Sequence, residues 1–122
     1  MARVTFSNED ILRSKIIPPG WYKLLVKSMS EEQAGTDGSD LFVYKNIIQG
    51  GNYEGVPLRF QISEKAMGFG IPYLVAGGVD VKPGVAVDLN DNVGKVIEGF
   101  VQRGEYKGKP TNELVDFRVP KD

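Results

Sequence analysis

The chain has 122 residues, 15 Lys and Arg against 16 Asp and Glu, and neither His nor Cys. That length suits one domain and leaves little room for two. Without imidazole or thiol there is no His base, no His- or Cys-held metal, no thiol nucleophile and no disulfide, and a formal charge of −1 excludes a uniformly polycationic binder while allowing a local basic strip.

Residues 1 to 20 read as a polar N-terminal arm that ends in Pro18-Pro19-Gly20, a sequence that stops a helix and launches an extended strand. Trp21 to Met29 alternates as a first strand, with Tyr22, Leu24 and Val26 on one face and Trp21, Lys23, Leu25 and Lys27 on the other. Glu31 to Asp40 is an acidic loop without a large apolar residue. Leu41 to Gln49 is a second strand whose phase is open. Leu41, Val43 and Ile47 suggest one inward face, yet Lys45 lies on it, and a bulge or a barrel corner would reconcile the two.

Gly50 to Gly55 is a turn, and Val56 to Ile62 is a third strand in which Leu58, Phe60 and Ile62 alternate with Arg59 and Gln61. Ser63 is a candidate cap for a helix beginning at Glu64, which Gly68, Gly70 and Pro72 keep short or broken. Gly77 to Asn92 is loop-like, with a candidate short strand at Val85, Val87 and Leu89. Lys95 to Arg103 and Thr111 to Val119 are the last strands, and in the second of them Val115, Phe117 and Val119 are expected to share a face. The chain is therefore expected to be all-β, with an arm over 1–20 and a single domain over 21–122. Five strands with a helix between the third and fourth is the order of an OB-fold-like Greek-key barrel, which SH3-like barrels and small sandwiches rival.

Nucleophilic triads fail for want of His or Cys. The Gly104 to Lys109 segment is one residue short of a phosphate loop and runs into Pro110 where Ser or Thr is needed. Asp88 to Asn92 begins like a calcium loop, but Val93 stands in place of the required Gly and Gly99 in place of the bidentate Glu, which leaves an Asx-type turn. The carboxylate pairs Glu31-Glu32 and Asp37 with Asp40 lie in a Gly-containing loop, where acid/base chemistry lacks a rigid support. No cofactor, no metal and no enzymatic reaction is expected.

Charge is segregated instead. Arg13 to Lys27 carries four cations and no acid, and Ser28 to Asp40 carries four acids and no cation. Trp21 shares a face with Lys23 and Lys27, Arg59 points away from the third strand's apolar set, and Tyr106 sits with Lys107 and Lys109. Cations that follow phosphates and flat rings that stack under unpaired bases are what single-stranded nucleic acid requires. The candidate nucleic-acid-binding residues are Trp21, Lys23, Lys27, Phe42, Tyr44, Arg59, Tyr106, Lys107 and Lys109, with Phe42 and Tyr44 dependent on the open strand phase.

Three landmarks occur in order: Pro19-Gly20-Trp21-Tyr22; Gly51-Asn52-Tyr53-Glu54-Gly55; and Val93-Gly94-Lys95 followed by Glu105 to Lys109, Asn112 and Val115-Asp116-Phe117. Over roughly residues 16 to 120 the chain resembles a family of small bacteriophage proteins that look like single-stranded-DNA-binding proteins with an OB fold. The resemblance implies a non-enzymatic accessory role in phage DNA replication or recombination, with replication or recombination proteins as partners, a homo-oligomer open, and the host cytoplasm as location. The ending Arg118 to Asp122 lacks the acidic run by which many single-strand-binding proteins recruit partners. RNA in place of DNA, and a phage structural or adaptor role for the same barrel, are the alternatives. No stretch is long and apolar enough for a membrane span, and the first residues lack the apolar core of a signal peptide, so a soluble cytosolic protein is expected.

Overall fold

Ser7 opens helix α1, Asn8–Arg13, where the sequence suggested only an arm. Its hydroxyl accepts from the Asp10 N–H at 3.1 Å and the Asp10 carboxylate accepts from the Ser7 N–H at 3.0 Å, a reciprocal cap that satisfies two otherwise unpaired donors. The computed structural model describes residues 2–33 and 38–121, so Asp37 of the acidic loop lies outside the described residues. Beyond α1 the chain is tied to the body. Ile17 is buried in the core, its N–H donates to Asn112 Oδ1 at 3.0 Å, and Asn112 Nδ2 donates to the Lys15 carbonyl at 2.8 Å.

Five antiparallel strands follow: β1 (Gly20–Gln33), β2 (Asp40–Ile48), β3 (Pro57–Ser63), β4 (Val96–Tyr106) and β5 (Lys109–Arg118), in the spatial order β3-β2-β1-β4-β5. The central strand β1 is shared. Gly20 to Leu25 pairs with β4, and Leu24 to Gln33 pairs with β2. The expected helix lies between β3 and β4 and is broken, as its glycines foretold. A 3₁₀ segment, Glu64–Gly70, is capped by the Ser63 hydroxyl and interrupted by a kink of non-helical backbone at Ala66. Helix α2, Ile71–Ala76, then starts with Pro72 in its first turn, where a missing N–H costs nothing. Residues 77 to 95 form turns rather than the expected short strand at Val85 to Leu89. Pro83-Gly84 interrupts that segment, and among the described residues its only strand-like bonds join Val26 to Gly94 and Lys95 ahead of β4.

The phase of β2 is settled by its partners. Leu24 pairs with Ile48, Val26 with Asn46 and Met29 with Tyr44, so Tyr44, Asn46 and Ile48 point into the core. Leu41, Val43, Lys45 and Ile47 point outward, the reverse of the face that their apolarity suggested. The extra residue in the β1–β2 ladder is Lys27, between Val26 and Ser28. A second bulge inserts Val115 between Leu114 and Asp116 opposite Phe100 and Val101. It puts Leu114 and Phe117 together against the core and leaves Val115 exposed, correcting the expected face of the last strand.

The two edge strands approach each other through side chains. Phe60 of β3 and Phe117 of β5 lie 4.8 Å apart between ring centroids, and Tyr73 of α2 packs on both, at 4.5 and 4.9 Å. No backbone ladder joins β3 to β5 among the described residues. Inside this cluster Tyr73 donates its hydroxyl proton to Asn46 Oδ1, while Asn46 Nδ2 donates to the Leu58 carbonyl at 3.1 Å. A buried amide is tolerated because its groups are paired. Tyr44 donates to the Leu89 carbonyl at 2.6 Å and so fastens the long turn segment to the sheet.

Candidate nucleic-acid interface

The β4–β5 connection is tighter than the sequence indicated. The strands run to Tyr106 and Lys109, joined by Lys107-Gly108 alone, both with positive φ (52° and 77°). Two left-handed residues make the turn that matches strand twist, and Gly108 adopts one of them without strain. Tyr106 stands directly opposite Lys109, and the Lys107 ammonium lies 5.4 Å from the Tyr106 ring centre. The ring is 65% exposed, so the core does not require it. Three predicted residues therefore meet at one projecting tip.

Trp21 and Lys23 also share an outer face, but not an open one. Trp21 pairs with Phe100 across the ladder and meets its ring edge-on at 5.4 Å. The Arg118 guanidinium lies 3.9 Å from the Trp21 ring centre and donates to Glu98 at 2.6 Å. That bond holds the Glu98 carboxyl below its usual range. One face of the indole is thus occupied by a cation of the same chain, and Lys23 stands opposite Glu98 rather than unopposed. About 20 Å of strand, six residues along β4, separates the position opposite Trp21 from Tyr106.

Lys27 and Arg59 belong to a third place, on the outer face of β1, β2 and β3. Register sets Lys45 beside Arg59, and Arg13 of α1 joins them around a cleft of ≈ 270 Å³ that also includes Val43 and Pro57. Lys27, at its bulge, lines an adjoining cleft with Lys45, Ile47 and Gly55. Three of these four cations meet two carboxylates. Glu9 binds Lys45 and accepts from Arg13 at 3.2 Å, and Glu32 lies 3.7 Å from Arg59. The Lys45 contact, aided by Arg13, holds the Glu9 carboxyl below its usual range. Arg13 and Lys45 were not among the predicted site residues. The signal for Lys45 was the conflict it created on β2, because a cation amid Leu41, Val43 and Ile47 marks a solvent-facing side.

Two predicted stacking residues leave the surface. Tyr44 is fully buried, and burial pushes its hydroxyl up to about 12. Phe42 points to the same side as Tyr44 and packs, half-buried, against the core. The Asp88 turn is of the Asx type, with Asp88 Oδ1 accepting from the Asn90 N–H at 2.9 Å. No cluster of three or more acidic residues suited to a metal ion occurs among the described residues, and no helix among them is long and apolar enough to cross a membrane. The sequence matches no family model, and a search of curated proteins found none that matches it.

Proposed function

We propose that the protein binds single-stranded DNA without sequence preference and without catalysing a reaction on it. The observation that carries this reading is the hairpin tip: a largely exposed Tyr106 beside Lys107 and opposite Lys109, on a turn too short to be floppy. An exposed ring flanked by ammonium groups suits a base stacked under a phosphate–sugar chain, and stacking is indifferent to which base is present. The outer face of β2 and β3 adds Lys45 and Arg59, with Lys27 at its border. In barrels of the OB type, the strand 2–3 face and the connection between strands 4 and 5 are where oligonucleotides lie. Phosphates would follow the cations of the cleft, and a base would stack on Tyr106. Trp21 and Lys23 have a lesser share, because Arg118 and Glu98 already engage them. A role in phage replication or recombination is added by the sequence resemblance.

The test is a titration of fluorescently labelled oligothymidylate, followed by anisotropy at two salt concentrations. Binding at micromolar protein that weakens with salt is expected, since each neutralised phosphate releases counterions. No binding at about 50 mM salt, where such contacts are strongest, refutes the proposal. A labelled oligouridylate in the same assay separates DNA from RNA preference.

One observation favours a second reading, a phage structural or adaptor protein. Phe69 is 83% exposed, and Met67, Ile71 and Val75 around it are exposed as well. Apolar surface of this kind often marks a protein contact. A defined oligomer in sedimentation, without nucleic acid and without binding in the titration, favours this reading over the first.

A further inference from the structure

Helix α1 lies where the nucleic-acid backbone is proposed to run. It spans six residues, buries none of them, and contacts β3 on the outer side of the sheet. Its Glu9 carboxylate bridges Lys45 of β2 and Arg13 of α1 itself; it lines the cleft beside Lys27, and both of its cations line the neighbouring cleft that Arg59 completes. A carboxylate held between an ammonium and a guanidinium has the charge and the acceptor geometry of a phosphate oxygen. We propose that α1 is a displaceable strap, and that Glu9 acts as an internal stand-in for a backbone phosphate of single-stranded DNA, which must replace it on Lys45. This rests on the reading of the protein as a single-strand binder.

The rest of the arm is built for such a movement. Ile17 is buried and Asn112 clamps the chain at Lys15 and Ile17, so the anchor lies C-terminal to the helix. Between the last helical residue, Arg13, and the clamped Lys15 carbonyl, the change of direction falls at Ser14. The helix is held to the sheet mainly by the Glu9–Lys45 contact and by Leu12, which is partly buried and reaches toward Gly55. A one-and-a-half-turn helix has little stability of its own, and its capping box is internal and can travel with it. The Glu9–Arg13 pair lies within the helix and travels with it, so the ion pair that must break is Glu9–Lys45. Glu32 plays no part in the strap. It belongs to β1, is fixed in the ladder opposite Leu41, and cannot leave with the arm.

The experiment compares wild type, Glu9→Gln, Lys45→Gln and the double variant by anisotropy with labelled oligothymidylate at one fixed salt concentration. Glu9→Gln keeps the shape of the side chain and the Ser7–Asp10 cap while removing the competing charge. It is expected to tighten binding by about two- to fivefold, the size of an exposed ion pair. Lys45→Gln weakens binding, and the gain from Glu9→Gln shrinks in the Lys45→Gln background, because the two act on one contact. Unchanged or weaker binding by Glu9→Gln, with wild type still binding, overturns the strap and leaves the DNA-binding reading in place. Failure of every protein to bind overturns both. Circular dichroism melts of each variant establish that the fold is intact.

Discussion

Replacement of Tyr106 by Ala is the sharpest probe of the proposed interface, because the ring contributes little to anything else. It is 65% exposed, sits on a two-residue turn, and contacts Lys107 through its face. Truncation of such a surface side chain should change the unfolding free energy by no more than about 0.5 kcal/mol. A stacked base is worth about 1–3 kcal/mol, so the dissociation constant for oligothymidylate should rise by roughly 5- to 150-fold. Tyr106→Phe retains the ring and should stay near wild type. Lys107→Gln and Lys109→Gln act differently: each should lower the slope of log affinity against log salt by about 0.7, as for one phosphate contact to a single strand. Anisotropy titrations give the affinities, and urea unfolding followed by emission of the single Trp21 gives the stabilities. The stacking argument is refuted if Tyr106→Ala binds like wild type, or if Tyr106→Phe binds as poorly as Tyr106→Ala.

Three further outcomes concern the scaffold. Tyr73→Phe leaves the Asn46 side-chain oxygen buried without its donor and should cost about 1–3 kcal/mol in urea unfolding; a loss below about 0.5 kcal/mol would mean that the bond is replaced by another partner. Gly99→Ala puts a Cβ 2.8 Å from Leu24 Cδ1 and 2.9 Å from Leu114 Cδ2, inside the packed face of β4. About 1–3 kcal/mol of overpacking should follow in the same assay, and a neutral result would show that Leu24 and Leu114 repack freely. Burial raises the hydroxyl of Tyr44 to about 12 and that of Tyr73 in the same direction. The fold therefore holds both as neutral phenols, and their contribution is complete below the unfolded value near 10 and is lost as pH rises through the folded values. Melting temperatures should fall steadily above about pH 10, and a flat profile to about pH 12 would contradict the burial of these two rings.

Several parts of this protein are legible in the residues nearest to them. Pro18-Pro19-Gly20 starts β1, the alternation of Leu58, Phe60 and Ile62 makes β3, and Ser63 caps the segment that Gly68, Gly70 and Pro72 break. Ser7 and Asp10 spell a capping box, which the polar character of the arm concealed behind the shorter Asp in place of Glu. All of these depend on local backbone chemistry, acting over a few residues. The hairpin tip was legible as a group for the same reason, since Tyr106, Lys107 and Lys109 are neighbours in sequence and any tight turn would gather them.

Faces and convergence were decided elsewhere. β2 is apolar on both sides, and Asn46 sits on its buried face while Leu41, Val43 and Ile47 sit on the outer one, so alternation within the strand could not choose between them. The choice was made by the pairing with β1 and by Tyr73, which satisfies Asn46 from a helix 27 residues away. The bulges at Lys27 and Val115 each add one residue to a ladder, and a period-two pattern read along a single strand cannot know that its partner is one residue shorter. The cationic cleft has the same origin. Arg13, Lys45 and Arg59 are distant in sequence and meet because α1 lies over β2 and β3, while Trp21 and Lys23, close in sequence to Lys27, are engaged by Arg118 and Glu98 across another part of the sheet. The absence of His and Cys and the near-zero net charge were determined by the sequence alone. Which cations stand together, and which are already matched by a carboxylate, depended on the register between neighbouring strands and on where α1 lies against them.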